Sequence, residues 1–309
     1  MKQAVRQTRT HIGELLARHG VNPRHDLGQN FLIDLNLIEY LVAQAELLSD
    51  DVVLEVGSGT GGLTTFLAER AGAVLAVEVD TRMRQLTAEA VDGFTNVTLL
   101  GCDVLKNKNH FSQPVLDALD AAVAVPSMRL KLVANLPYGV ATPVISNLVA
   151  SDYVWERMVV TIQLELAERM TAKAGTSSYG ALSAWLQSQC RIEFLKKLPA
   201  DVFWPRPKVE SAMIRIDPDA ERRQTIRDRA FLHDFLRGIF QQRRKLLRNV
   251  LIAHYRQDLD RTRIDAVLKS QGLGERERAE DLSPTILVGL CNAMFETIQQ
   301  TRGQESPSA

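Results

Sequence analysis

Four consecutive residues, Asn135-Leu136-Pro137-Tyr138, carry the groups that an aromatic amine needs in order to act as a nucleophile. The lone pair of such an amine is delocalised into its ring. Methylating it requires the nitrogen to become tetrahedral while positive charge grows on it, and acceptors on its two N–H groups stabilise that charge. The Asn135 side-chain oxygen and the Leu136 carbonyl are acceptors of this kind. Pro137 removes a competing N–H and fixes the turn. Tyr138 offers a face on which an extruded base can stack. No strong general base is needed, because the proton becomes acidic once the methyl is attached. The bland alternative is an Asn-x-Pro turn with a core tyrosine.

The tetrapeptide needs an element to place it. Leu130 to Ala134 is an apolar run that reads as a buried parallel strand. The four residues then stand past the strand's carboxyl end, where ligands bind in open α/β sheets. A first βα unit lies upstream. Val52 to Val56 is a strand, Gly57-Ser58-Gly59-Thr60-Gly61-Gly62 is a glycine loop, and Leu63 to Arg70 continues as a helix. Such a loop lets the backbone approach a ligand at a helix N-terminus. A second strand, Ala73 to Val79, contains Glu78, about 20 residues after the loop, a spacing that suits a carboxylate on ribose hydroxyls. A third strand, Asn96 to Gly101, runs into Asp103, which can accept an adenine amine or simply cap a turn. Gly57-x-Gly59-x-x-Gly62 also satisfies the dinucleotide fingerprint. At this point NAD and S-adenosylmethionine both remain open as cofactors.

The flanking segments complete the reading. Thr10 is placed to cap a short helix ending at Gly20, and Asp34 to cap a helix over Leu35 to Leu47. Between them, Gln29 and Asn30 offer amide donors and acceptors in a loop that could close over a cofactor. Residues 106–129 read as a helix with polar loops, and the apolar run Ala118 to Val125 reads as core. Met158 to Glu165 reads as a strand and Leu166 to Lys173 as a helix. A small polar loop, 174–180, reads as mobile, and a helix follows over Ala181 to Gln189. Cys190 to Leu198 and Val209 to Ile216 pair as a hairpin around a stiff Pro-rich loop. Phe203 in that loop is a candidate to stack on the target base opposite Tyr138. Phe231 to His254 reads as one helix, with Arg237, Arg243, Arg244, Lys245 and Arg248 on a charged face.

Composition bounds the function. The chain has 309 residues, 45% of them hydrophobic, and zero formal net charge. That average hides segregation: Glu221 to Arg263 holds twelve Lys/Arg against five Asp/Glu. A segment so biased can contact phosphate although the protein is neutral. No apolar run reaches the length of a membrane span, and Met1 to Thr10 has no secretory h-region. Three scattered cysteines, Cys102, Cys190 and Cys291, argue against disulfides or a zinc cluster and fit a reducing cytoplasm.

Taken together, the motifs resemble a known family. They are Gly28-Gln29-Asn30-Phe31-Leu32, Glu55-Val56-Gly57-Ser58-Gly59-Thr60-Gly61, Glu78-Val79-Asp80, Asp103, Asn135-Leu136-Pro137-Tyr138 and Phe203-x-Pro205-x-Pro207-Lys208-Val209-x-Ser211. The set is similar to that of the small-subunit rRNA adenine dimethyltransferases, the bacterial KsgA/RsmA group, from about Ile12 to Met294. The resemblance implies an α/β fold: a Rossmann-like, class I S-adenosylmethionine-dependent methyltransferase domain with a small all-helical C-terminal domain. The expected division is an N-terminal helical extension at 1–23, the methyltransferase domain at 24–218 and an rRNA-binding domain at 219–309. The implied reaction dimethylates N6 of two adjacent adenosines near the 3′ end of 16S rRNA, within the small ribosomal subunit or its precursor.

By position, the resemblance assigns Gln29, Asn30, Leu32, Gly57, Gly59, Glu78, Val79, Asp103, Val104 and Asn135 to the cofactor S-adenosylmethionine. It assigns Asn135 to Tyr138 and Phe203 to the target adenine; the local charge excess points Arg237, Arg243, Arg244, Lys245 and Arg248 at RNA phosphates, and the family's similar Arg-Arg-Lys stretch supports that reading. A monomeric cytoplasmic enzyme without metal is expected. Two positions and one short stretch depart from the family pattern. Ser58 replaces a usual proline, which predicts a looser loop; Leu164 replaces a common lysine; and Arg24-His25-Asp26 is less basic than usual. Two rivals share features with this reading. One is a large-subunit rRNA methyltransferase of the antibiotic-resistance type, and the other is a non-catalytic assembly factor.

Overall fold

The computed structural model describes residues 3–24, 27–125 and 127–305, without the side chains of 303–305. His25 and Asp26, part of one sequence departure, lie outside the described residues. The chain divides into two compact units, Met1–Ala167 with Glu193–Pro218, and Glu168–Ile192 with Asp219–Ala309.

The first unit opens with α1 (Arg9–His19), β1 (Phe31–Leu32) and α2 (Leu35–Gln44). Asp34 caps α2 as expected, its Oδ1 accepting from Asn36 N and Leu37 N at 2.9 and 3.2 Å. The cap of α1 is Thr8 rather than Thr10, with His11 N donating to its hydroxyl. Next come β2 (Asp51–Val56), α3 (Gly62–Ala68), β3 (Ala73–Val77), α4 (Thr81–Val91) and β4 (Val97–Leu100). A small hairpin, β5 (Leu105–Asn107) and β6 (His110–Phe111), leads into α5 (Gln113–Val123), β7 (Arg129–Asn135), α6 (Ala141–Ala150) and β8 (Trp155–Gln163), and the division after Ala167 falls within α7 (Leu164–Thr171). The apolar run at 118–125 falls mostly on α5 and its exit. Of its residues only Leu119 is fully buried, and Val125 is exposed, because the helix turns a single stripe inward.

Seven strands form one sheet in the order β4-β3-β2-β7-β8-β11-β9, where β9 is Cys190–Leu198 and β11 is Ser211–Pro218. Strands β4, β3, β2, β7 and β8 are parallel, and β11 runs antiparallel to β8. The chain winds outward from β2 through β3 to β4, then returns to β7 on the other side of β2. The gap between β2 and β7 is therefore the switch point at which a crevice opens beyond the strand ends. The central strands β2, β3 and β7 are largely apolar because they are covered on both faces. Lys131, a charged residue inside β7, is buried and paired with Asp51 at 2.8 Å.

The N-terminal helix belongs to this unit rather than forming a separate extension. Ile12 and Leu16 of α1 pack with Phe31, Met83 and Leu86. Ahead of the helix, Gln7 is buried against the glycine loop, donating to Thr60 O at 2.8 Å and accepting from the Thr60 hydroxyl at 2.5 Å.

The second unit begins earlier than the expected boundary at 219. It takes in the loop 172–180 and α8 (Ala181–Gln187) before α9 (Ala220–Gln224), α10 (Arg229–Phe240), α11 (Leu247–His254), α12 (Arg261–Ser270) and α13 (Pro284–Glu305). The reason is packing. Trp185 of α8 meets His233 of α10 with ring centroids 5.0 Å apart. Tyr179 is fully buried, edge-on to Phe240, with its hydroxyl donating to Leu282 O at 3.0 Å. The loop read as mobile is thus pinned by its aromatic residue. The single helix expected over 231–254 is broken at 241–246, where an isolated bridge joins Leu246 to Arg278 and Leu247 N donates to Glu277 O at 2.8 Å. Helix α13 runs on through Thr301 to Glu305, although the small polar residues from Thr301 onward by themselves suggest a disordered tail; residues 306–309 lie outside the described residues.

Candidate active site

The ends of four parallel strands converge on one cavity of about 420 Å³. After β2 come Gly57 and Gly59, after β3 Glu78 and Val79, after β4 Asp103 and Val104, and at the end of β7 Asn135 to Tyr138; all of these line it. Gln29 and Asn30 close another wall. Two residues assigned from the resemblance do not line it. Leu32 and Phe203 face each other across the two-stranded β1–β10 ladder, where β10 is Phe203–Trp204, and both side chains sit in a core that includes Leu37, Leu41 and Met213. Phe203 is 2% exposed. Alternation along a strand decides this: the pairing that buries Leu32 turns its partner inward too.

The glycines are needed at this site for close approach. Gly57 has φ +79°, and a Cβ there would stand 2.8 Å from Pro137 Cγ. A Cβ on Gly59, φ +58°, would stand 2.8 Å from the Phe31 ring. The glycine loop and the Asn-Leu-Pro-Tyr turn are therefore in direct contact. Ser58 does not loosen the loop. Thr87 Oγ1 donates to Gly59 O at 2.8 Å, so the Ser58 hydroxyl, 3.0 Å from Thr87 Oγ1, is the donor of that second bond. These bonds to α4 supply the restraint that a proline ring would otherwise give.

The acids divide their work. Glu78 accepts from Gly59 N and Asp80 N, each at 2.9 Å, which leaves further lone pairs on its oxygens. Burial holds its carboxyl above the usual carboxylate range, opposed by these bonds. Asp103 accepts from Leu105 N at 2.9 Å. It is a turn cap and a cavity residue at once, so the two readings of it are compatible. Asp80 caps α4 and also accepts from Gln29 Nε2 at 3.3 Å. Gln29 Oε1 accepts from Arg24 N at 2.7 Å, so both ends of this amide hold the entry loop. Glu55, one residue before Val56, is 1% exposed, and its Oε2 has no hydrogen-bond partner among the described residues. Burial, opposed by the neighbouring Thr64 hydroxyl and reinforced by the nearby Glu78, pushes its carboxyl up to about 8.

At the turn, Asn135 Nδ2 donates to Asn30 O at 2.8 Å and Asn135 Oδ1 accepts from the Thr161 hydroxyl. Because Asn30 O can only accept, the amide orientation is fixed. Leu136 N donates to Thr161 O at 3.1 Å. The Tyr138 hydroxyl lies 2.7 Å from Ser211 Oγ, and burial keeps the phenol neutral. Thr161 and Gln7 were invisible as site residues in the sequence, and Glu55 showed only as the head of the glycine-loop motif. Strand register brings the first to Asn135, and only pairing of β7 with β8 could have revealed it.

In the second unit the basic residues separate into two kinds. Arg243 donates to Ser177 O and Tyr179 O at 2.9 and 2.7 Å and lies 3.4 Å from Glu280. Arg248 grips Asp265 with two bonds of 2.6 and 2.8 Å. These two hold the unit together. Arg237, Arg244 and Lys245 are exposed, and no carboxylate partners them among the described residues. Among the described residues no group of three His, Cys, Asp or Glu could hold a metal ion, and no helix is long and apolar enough to cross a membrane.

With this geometry in hand, the comparisons with known proteins are specific. The model of the ribosomal RNA adenine dimethylase family matches residues 20–287. The chain is 34% identical over 292 residues to the ribosomal RNA small subunit methyltransferase A of Halothermothrix orenii, covering 94% of each chain. It is 36% identical over 285 residues to the protein of that name from Pelotomaculum thermopropionicum, covering 92% of this chain and 96% of the other. Among solved structures, a dimethyladenosine transferase from Plasmodium falciparum superposes with a TM-score of 0.72 at 22% identity, over 85% of this chain and 97% of that one. The 23S rRNA methyltransferase ErmE superposes at 0.62 and 24% identity, over 86% and 99%. These two likenesses establish the shared class I methyltransferase fold. The chain belongs to the ribosomal RNA adenine dimethylase family.

Proposed function

We propose that the cavity holds S-adenosylmethionine against the glycine loop and presents N6 of a small-subunit rRNA adenosine at the Asn135–Tyr138 turn, for two successive methylations. The observation that carries this reading is that one cavity is lined both by Gly57, Glu78 and Asp103 and by the Asn-Leu-Pro-Tyr turn. The donor set fits the cofactor. Glu78 keeps acceptor capacity for ribose hydroxyls, Asp103 for an exocyclic amine, and Val79 and Val104 supply apolar walls for an adenine ring. Bound S-adenosylmethionine supplies an electrophilic methyl on a sulfonium, which the target amine takes up with loss of one proton.

The protein's part is alignment and charge stabilisation. Asn135 Oδ1 and the Leu136 carbonyl accept from the N6 hydrogens as the nitrogen becomes tetrahedral. Tyr138, steadied by Ser211, stacks on the base. No side chain has to take the proton before transfer, so the neutral state of Tyr138 is no obstacle. Arg237, Arg244 and Lys245 contact the rRNA backbone, while Arg243 and Arg248 keep their protein partners. The enzyme works as a monomer, without metal, on 16S rRNA in the small subunit or its precursor.

Calorimetric titration tests the cofactor assignment. S-adenosylmethionine should bind the wild type, and Glu78→Ala should weaken binding at least tenfold. Unchanged affinity in that variant, or binding of NAD instead, would remove the assignment.

A further inference from the structure

We infer that Thr161 is a positioning residue for methyl transfer, holding the Asn135 amide so that Oδ1 meets the target amine in one fixed place. The inference rests on the reading of Asn135 given above. Thr161 lies in β8 directly opposite Asn135 in the parallel register. It interrupts a fully buried apolar stretch, Met158 to Ile162, and is itself 1% exposed. A hydroxyl so placed needs a partner, and this one donates to Asn135 Oδ1. The same residue accepts from Leu136 N at 3.1 Å through its main-chain oxygen. Thr161 therefore touches the side chain of one proposed acceptor residue and the backbone of the other.

The torsion that turns an asparagine amide about its Cβ–Cγ bond is intrinsically broad. Here Asn30 O holds the nitrogen end at 2.8 Å and the Thr161 hydroxyl holds the oxygen end. Oδ1 has two lone pairs, so one remains for substrate after the threonine takes the other. Remove the hydroxyl and the nitrogen end alone restrains the amide. A purely structural threonine would serve only as a β-branched strand residue, a role that valine fills equally well.

The two methylations should feel the loss unequally. In the first, the amine has two N–H groups for two acceptors. In the second it has one, so the growing charge depends on a single well-placed acceptor. Loosening Oδ1 should slow the second step more and let monomethyladenosine accumulate.

The test compares Thr161→Val and Thr161→Ser with the wild type in kcat, KM for undermethylated small subunits, S-adenosylmethionine affinity and the ratio of mono- to dimethyladenosine. Thr161→Val should lower kcat about three- to tenfold and raise the monomethyl share. KM and cofactor affinity should stay within about twofold. Thr161→Ser should restore both kcat and product ratio. If the valine variant does not fold, Thr161→Cys, with its weak donor, takes its place and should show the same direction of change. Wild-type kcat and product ratio in the valine or cysteine variant, or a serine variant as impaired as valine, would overturn the inference. The underlying reading fails differently: Asn135→Ala would retain turnover, or the wild type would transfer no methyl at all.

Discussion

Replacing Glu55 by glutamine should change the pH dependence of stability in a direction that its burial sets. Glu55 is buried beside Glu78 with one oxygen unpartnered, and its carboxyl is pushed from 4.5 up to about 8. The folded state therefore keeps a proton that the unfolded chain releases above about pH 4.5. Where the folded state binds more protons, stability falls as pH rises, by up to about 1.4 kcal/mol per unit. Stability is full below the unfolded value and is lost progressively until pH passes the folded value near 8. Between pH 5 and pH 8 this group alone should cost about 3–4 kcal/mol. Glutamine has nearly the same shape and does not titrate. Urea denaturation of both proteins at pH 5, 6.5 and 8 isolates the term, because every other titrating group is common to the pair. Glu55→Gln should gain on the wild type steadily with pH, to about 3–4 kcal/mol at pH 8 relative to pH 5. Parallel stability curves across that range would refute the placement of a protonated acid under the glycine loop.

Phe203→Ala should cost about 3–5 kcal/mol of stability in denaturant titration, the usual loss for a buried phenylalanine; a loss of methyl transfer with stability intact would show instead that its ring serves the base. Replacing Arg237, Arg244 and Lys245 together by alanine should lower the salt slope of RNA binding by about 2–3, read by titration at several salt concentrations, whereas an unchanged slope would make them solvated surface. Arg243→Ala should leave that slope alone and destabilise the protein by about 1–2 kcal/mol, because Ser177 O and Tyr179 O lose their donor.

What the sequence made legible was local. The strand–glycine loop–helix succession, the acid after β3 and the tetrapeptide after β7 are each carried by neighbours in the chain, and each falls where its pattern predicts. What it concealed depends on partners distant in sequence. Thr161 reaches Asn135 only through the β7–β8 register. Phe203 turns into the core because β10 pairs with β1, and a motif does not say which face of a two-residue ladder is buried. Arg243 looks like surface charge until the Tyr179 loop folds beneath it. The helix read across 241–246 has ordinary helix formers throughout. It breaks because Leu246 and Leu247 bond to the segment around Arg278 and Glu277 instead.

In the proposed function, this cavity joins a methyl donor to an adenine of small-subunit rRNA through Asn135. This is tested most directly by incubating the protein with labelled S-adenosylmethionine and undermethylated small subunits, with large subunits in parallel, and then analysing the nucleosides. Dimethyladenosine should be confined to small-subunit RNA and absent with Asn135→Ala, while that variant still binds RNA. Label in large-subunit RNA, no label in either, or wild-type turnover by Asn135→Ala would contradict that function.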